Sequence, residues 1–198
     1  MAPGASPEPG AVLGADERGL LLDLARRAIR AGLDVPWLEI DLERLPAALR
    51  APGASFVTLT ERGGGLRGCM GRLEATRPLA EDVAGNARAA AFFDPRFPPV
   101  EPGELDWLEI EVSVLSAAAP LAVASERELL AALRPGIDGL IVEAAGHRAT
   151  FLPSVWATLP DPREFVVQLR RKAGLGAAGF EPGQRYSRYT AEKFGGAL

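Results

Sequence analysis

Leu108-Glu109-Ile110-Glu111-Val112-Ser113-Val114-Leu115 alternates without a break. Successive side chains of a strand point to opposite faces, so Ile110, Val112 and Val114 share one face and Glu109, Glu111 and Ser113 the other. One apolar and one polar face is the pattern of an antiparallel sheet covered on a single side. Working outward, Phe56, Leu59 and the β-branched Val57, Thr58 and Thr60 predict an earlier strand. The run Glu61-Arg62-Gly63-Gly64-Gly65 reads as a hairpin turn leading to a strand over 66–71. Residues 139–144 and 148–152 predict two more strands across a turn at Gly146, and 186–194 an extended tail with Tyr186 and Tyr189 on opposite faces.

Helical signals fall between these strands at irregular intervals. Asp16 offers a cap for a helix over 17–31, whose stripe joins Leu20, Leu24 and Ala28 to Leu21, Ala25 and Ile29, with Gly32 ending it. A short helix over 42–49 is interrupted or opened by Pro46. Thr76 offers a cap for a helix over 78–92, and its alanines 80, 84, 87, 90 and 91 suit close packing on a sheet. Ser125 and Glu128 form a capping box for a helix to about residue 134, while Asp161, Pro162 and Glu164 open another that ends at Gly174. Strands and helices in this order argue for α+β: an antiparallel β-sheet flanked by helices, rather than a doubly wound parallel sheet. Residues 1–12, rich in Pro, Gly and Ala, read as a disordered tail, and 13–198 as a single domain.

Scarce residue types narrow the chemistry. The chain of 198 residues has one cysteine, Cys69, and one histidine, His147. A single cysteine supplies neither an intrachain disulfide nor the thiolate set of an iron-sulfur or structural zinc centre, and a single histidine cannot build a His-rich metal site. His147 falls in the turn Ala145-Gly146-His147-Arg148, where a solvated side chain is expected. The net charge of -4 and pI near 5.2 carry no footprint for nucleic acid. No apolar run reaches the length of a bilayer span and no signal peptide opens the chain, so no membrane and a cytoplasmic location are expected.

Leu66-Arg67-Gly68-Cys69-Met70-Gly71 is the strongest candidate for chemistry. Regular alternation would set Arg67, Cys69 and Gly71 on one face, with the guanidinium favouring thiolate over thiol. Gly68 and Gly71 would leave room for a ligand or another backbone beside the sulfur. If the helix over 78–92 turned its N-terminus to Cys69, its dipole would act with Arg67. The bland reading is a small buried hydrophobe. Asp94-Pro95-Arg96-Phe97-Pro98-Pro99 is a stiff loop whose Asp94 and Arg96 either staple each other or face a ligand at the same cleft as Cys69. Glu109 and Glu111 suit either an acid/base pair or a solvated face.

These pieces, with Phe56-Val57-Thr58-Leu59, Ile110 to Ser116, Gly136-Ile137-Asp138-Gly139-Leu140, Phe151-Leu152-Pro153 and Arg171-Lys172-Ala173-Gly174-Leu175, make the sequence resemble the AMMECR family, called AmmeMemoRadiSam system protein A in prokaryotes. The resemblance spans about residues 16–194. It departs at Met70, where the family often has isoleucine, and at Ser154, where Leu-Pro-Gln-Val is usual. It implies an antiparallel α+β fold with a smaller second lobe and a cleft near the Cys69 motif. It also implies partners: a Memo-type protein and a radical S-adenosylmethionine enzyme. Three functions then stand side by side. The first is a ligand- or substrate-binding component for those partners, without cofactor or metal of its own, using Arg67, Cys69, Asp94 and Arg96 with Gly68 and Gly71. The second is an enzyme with Cys69 as nucleophile, Arg67 stabilising its thiolate and Glu109 or Glu111 as base. The third is a protein-interaction scaffold.

Overall fold

In a computed structural model, residues 13–35, 37–176 and 179–198 are described. The expected tail over 1–12 lies outside them. The chain divides into two compact units, one running to Leu115 and resumed by Glu192–Leu198, the other Ser116–Ala191.

The first unit is built on an antiparallel sheet of β1 (Pro52–Glu61), β2 (Leu66–Gly71), β4 (Leu108–Leu115) and β9 (Ala191–Ala197) in the order β2-β1-β4-β9; a two-residue strand, β3 (Arg77–Pro78), also pairs with β1. The alternation of β4 is realised: Ile110 and Val112 are buried and Val114 packs against the same core, while Glu109 and Glu111 take the opposite face. Helix α3 (Leu79–Phe92) covers the apolar face with Ala80, Val83, Ala84, Ala87, Ala90 and Ala91, all buried. Helix α1 (Ala15–Gly32) packs on α3 through Leu21, Leu24, Ala25, Ala28 and Ile29. Leu20, expected on that stripe, is 39% exposed, and the cap is Gly14, whose N–H donates to Glu17 Oε2 at 2.8 Å, rather than Asp16. Pro46 separates a 3-10 turn at Leu42–Arg44 from the four-residue α2 (Ala47–Arg50).

Thr76 does not cap α3. Pairing of Pro52 with Pro78 and Gly53 with Arg77 holds the chain extended until Pro78, and the helix begins one residue later. The first turns of α3 are fixed instead by Asp82, fully buried, which accepts from Ser55 N and Oγ at 2.9 and 2.7 Å, from Asn86 Nδ2 at 2.8 Å and from Arg77 Nε at 3.0 Å. One carboxylate thus ties strand, short strand and helix together.

The second unit has an antiparallel sheet of β5 (Ala119–Pro120), β6 (Gly139–Ala144), β7 (His147–Phe151) and β8 (Arg185–Tyr189) in the order β5-β8-β6-β7. Helices α4 (Glu126–Ala132) and α5 (Pro162–Lys172) start at the expected caps: Ser125 Oγ accepts from Glu128 N at 3.3 Å and Asp161 Oδ1 from Glu164 N at 2.8 Å. Its core gathers Leu129, Leu140, Val142, Phe165, Val166 and Leu169, with Trp156 stacked on Phe165 at 3.8 Å between centroids. The extended tail is two strands in two sheets, broken at Thr190. There Ser116 N donates to Thr190 O and Thr190 N to Ser116 Oγ, both at 2.9 Å, so the outgoing and returning chain run side by side.

Candidate functional site

β2 is the edge strand of its sheet, and an edge exposes backbone donors and acceptors. At Cys69 both are taken by the loop that follows α3. Asp94 Oδ2 accepts from Cys69 N at 2.8 Å, and Arg96 Nη2 donates to Cys69 O at 3.3 Å. The two side chains hold each other: Arg96 Nη2 reaches Asp94 Oδ2 at 2.6 Å, and Nε reaches Oδ1 at 2.9 Å. A side-chain ion pair here does the work of a neighbouring strand. Asp94 is buried, whereas the Arg96 side chain is 54% exposed. The Arg96 guanidinium, helped by the N–H groups of Cys69 and Arg96, holds the Asp94 carboxyl well below the usual range, although burial alone would raise it. Asp94 in turn raises Arg96.

Asp94 and Arg96 therefore meet Cys69, although a 14-residue helix intervenes. That helix runs back along β2: the Arg72 side chain lies near Asp82 in its first turns, while Gly68 lies against Ala90 in its last. The C-terminal end of α3, not its N-terminus, is the end beside the cysteine motif, which corrects the expected dipole contribution.

Arg67 is a second correction. Thr60 pairs with Leu66 and Leu59 with Gly68, so Arg67 is the extra residue of a β-bulge and the period of two breaks there. Its buried guanidinium forks onto Glu104, Nε to Oε1 at 2.7 Å and Nη2 to Oε2 at 3.0 Å, and donates to Pro98 O at 2.9 Å. Arg67 holds Glu104 below its ordinary pKa. The cation bound to the Cys69 residue is Arg96.

The two glycines also have a different use. A Cβ on Gly68 would lie 2.1 Å from Ala90 O, and one on Gly71 would lie 2.3 Å from the Phe56 ring. The room they leave is filled by α3 and by Phe56, so neither opens a path to the sulfur.

The partly exposed Cys69 pairs with Thr58, and Thr58 with Glu111. On the face away from α3 this makes a polar row across adjacent strands: Thr58 Oγ1 donates to Cys69 Sγ at 3.3 Å, and Lys193 Nζ donates to Glu111 Oε1 at 2.8 Å. With strands ~4.8 Å apart, Cys69 and Glu111 are about 10 Å apart at the backbone, with Thr58 between them. Thr58, Glu104 and Lys193 were not singled out in the sequence. Thr58 had a signal, since it alternates with Val57 and Leu59, but its partner strands were not legible. His147 is exposed at the start of β7, behind a turn in which Ala145 and Gly146 have positive φ. Among the described residues no group of three or more His, Cys, Asp or Glu is arranged to hold a metal, and no helix is long and apolar enough to cross a membrane.

This antiparallel α+β chain, with the ion pair of a buried Asp94 and a half-exposed Arg96 clamping the backbone of its only cysteine, is of a type with known relatives. The AMMECR1 family model matches residues 22–194, and the chain belongs to that family. A Methanothermobacter thermautotrophicus protein is 40% identical over 188 residues, covering 93% of this chain and 96% of that protein. A Thermofilum pendens protein is 40% identical over 177 residues, covering 82% and 81%. The crystal structure of an uncharacterized Pyrococcus horikoshii protein is similar with a TM-score of 0.83 at 32% identity, covering 92% of this chain and 93% of that one.

Proposed function

We propose that the protein is a ligand- or substrate-binding component acting beside a Memo-type protein and a radical S-adenosylmethionine enzyme. Its working surface in this reading is the row of Cys69, Thr58, Glu111 and Lys193, framed by Asp94 and Arg96. The observation that carries it is the double clamp on Cys69: both backbone polar groups are fixed by one ion pair while the side chain stays partly exposed. Such a frame preorganises a contact surface. With one cysteine and one histidine, cluster and multi-histidine metal chemistry fall to the partners. The nucleophile reading has less support, because Glu111 is engaged by Lys193 and separated from the thiol by Thr58.

The test pairs a binding titration with thiol kinetics. Titrating the purified Memo-type protein and the radical S-adenosylmethionine enzyme, separately and together, into the full chain should give a complex that Cys69→Ser retains and Arg96→Ala weakens. Cys69 should react with iodoacetamide no faster than a cysteine peptide at the same pH. No complex with either partner overturns the reading, and alkylation more than about tenfold faster than the peptide would favour a nucleophilic enzyme.

A further inference from the structure

In the second unit an open cavity of about 640 Å³ lies beside the starts of α4 and α5, lined among others by Ser125, Glu126, Arg127, Leu130, Arg163 and Phe180. Its size is that of a small-molecule site. Arginine is widely paired in this chain: Arg67, Arg77, Arg96, Arg134 and Arg170 each meet a carboxylate within 3.0 Å. Arg127 and Arg163, both exposed on this one cavity, have no hydrogen bond, ion pair or ring contact among the described residues.

The acid inside the cavity feels the charge of Arg163 but spends its hydrogen bonds elsewhere. Glu126 Oε2 accepts from Arg170 Nη2 at 2.8 Å and from Phe180 N at 3.0 Å. Arg170 is fully buried, bonds Tyr186 Oη through Nε at 2.8 Å, and keeps Nη1 without a hydrogen-bond partner among the described residues. The Glu126 charge is thus cancelled from behind by a cation with donor capacity to spare. The neighbouring acids are hydrogen-bonded to uncharged donors and keep their charge: Glu128 accepts from Ala124 N, Glu164 from Gln168 Nε2 and Asp161 from Glu164 N. The cavity thus presents two guanidinia without a hydrogen-bond partner among the described residues, in a chain whose net charge is -4. Guanidinium forks match phosphate oxygens bidentately. Phe180, held by stacking with Tyr186 at 5.9 Å, and Leu130 add apolar surface to the same cavity.

We propose that this cavity binds a small phosphate ester, its phosphoryl group taken by Arg127 and Arg163 and its apolar body set against Phe180 and Leu130. The inference is independent of the Cys69 surface. Calorimetric titration of the full chain at fixed ionic strength, with phenyl phosphate, inorganic phosphate and phenol as probes, tests it. Phenyl phosphate should bind one per chain and more tightly than either fragment. Arg127→Gln and Arg163→Gln should each weaken it at least about tenfold, and Phe180→Ala should remove its advantage over inorganic phosphate, with circular dichroism showing each variant folded. Arg62→Gln, an exposed cation of the first unit, should change nothing. Absence of binding at millimolar phenyl phosphate overturns the proposal, as does undiminished binding by both cavity variants or an equal loss in Arg62→Gln. A response to an acidic peptide without one to phenyl phosphate would make the cavity a protein-docking surface and overturn it too.

Discussion

At Gly68 the absence of one methyl group sets how closely α3 approaches the sheet. Its Cβ would stand 2.1 Å from a backbone oxygen, that of Ala90, which no side-chain rotation can move aside. Gly68→Ala should therefore cost ~3 kcal/mol or more in urea unfolding, as overpacking against backbone does. Gly103→Ala, with open space around its Cβ, should stay within about 0.5 kcal/mol of wild type. Equal midpoints for the two variants would mean that the helix yields freely. Acid acts at the same scale. Asp94 and Glu104 ionise below their ordinary values of 3.8 and 4.5 because Arg96 and Arg67 bind the charged forms. A carboxylate depressed in the folded state contributes its stabilisation in full above its unfolded pKa and loses it as pH falls toward the folded one. Stability should thus decline as pH falls below about 5 and go on declining below pH 3, and Asp94→Asn should flatten part of that decline. A slope unchanged in Asp94→Asn would detach the ion pair from acid stability.

The edge of β2 is governed by a loop rather than by a strand. Because Asp94 occupies the Cys69 N–H, that amide should resist hydrogen exchange despite its edge position, and Asp94→Ala should speed its exchange by about 10- to 100-fold while amides of β1 keep their protection. Uniform acceleration across the sheet would mean general loosening instead. Element scale is also where the sequence was most and least legible. The alternation of β4 and the caps at Ser125 and Asp161 are local signals, and local geometry obeyed them. The bulge at Arg67 was hidden, since period-two reasoning assumes regular pairing and the extra residue shows only against β1. Thr76 had the chemistry of a cap, but pairing of Arg77 and Pro78 with β1 overrode it. For the site, a stiff loop with opposite charges at Asp94 and Arg96 is legible locally, and the structure shows the two both stapled to each other and bound to the Cys69 backbone. The Arg67–Glu104 fork was not legible, because nothing near residue 67 points to residue 104.

Across the whole molecule, the first unit is closed by the last strand. β9 borders β4, Leu198 N donates to Leu108 O at 3.0 Å, and Arg26 and Arg30 of α1 donate to Ala197 O and Leu198 O. Removing residues 191–198 should therefore lower the urea midpoint of the first unit, read through Trp37 and Trp107, far more than that of the second, read through the buried Trp156. The opposite ranking would show that β9 is dispensable to the sheet it joins.

The order of synthesis gives that strand a further importance. When the ribosome has made β4, the sheet still lacks its final border, and the whole of Ser116–Ala191 must be translated before β9 can arrive. At ~5–20 residues per second this leaves β4, with Ile110 and Val112 along it, unpaired on one side for roughly 4–15 s. During that interval a newborn chain offers a free strand edge to any neighbour on the same polysome, and completion of the first unit waits on the second.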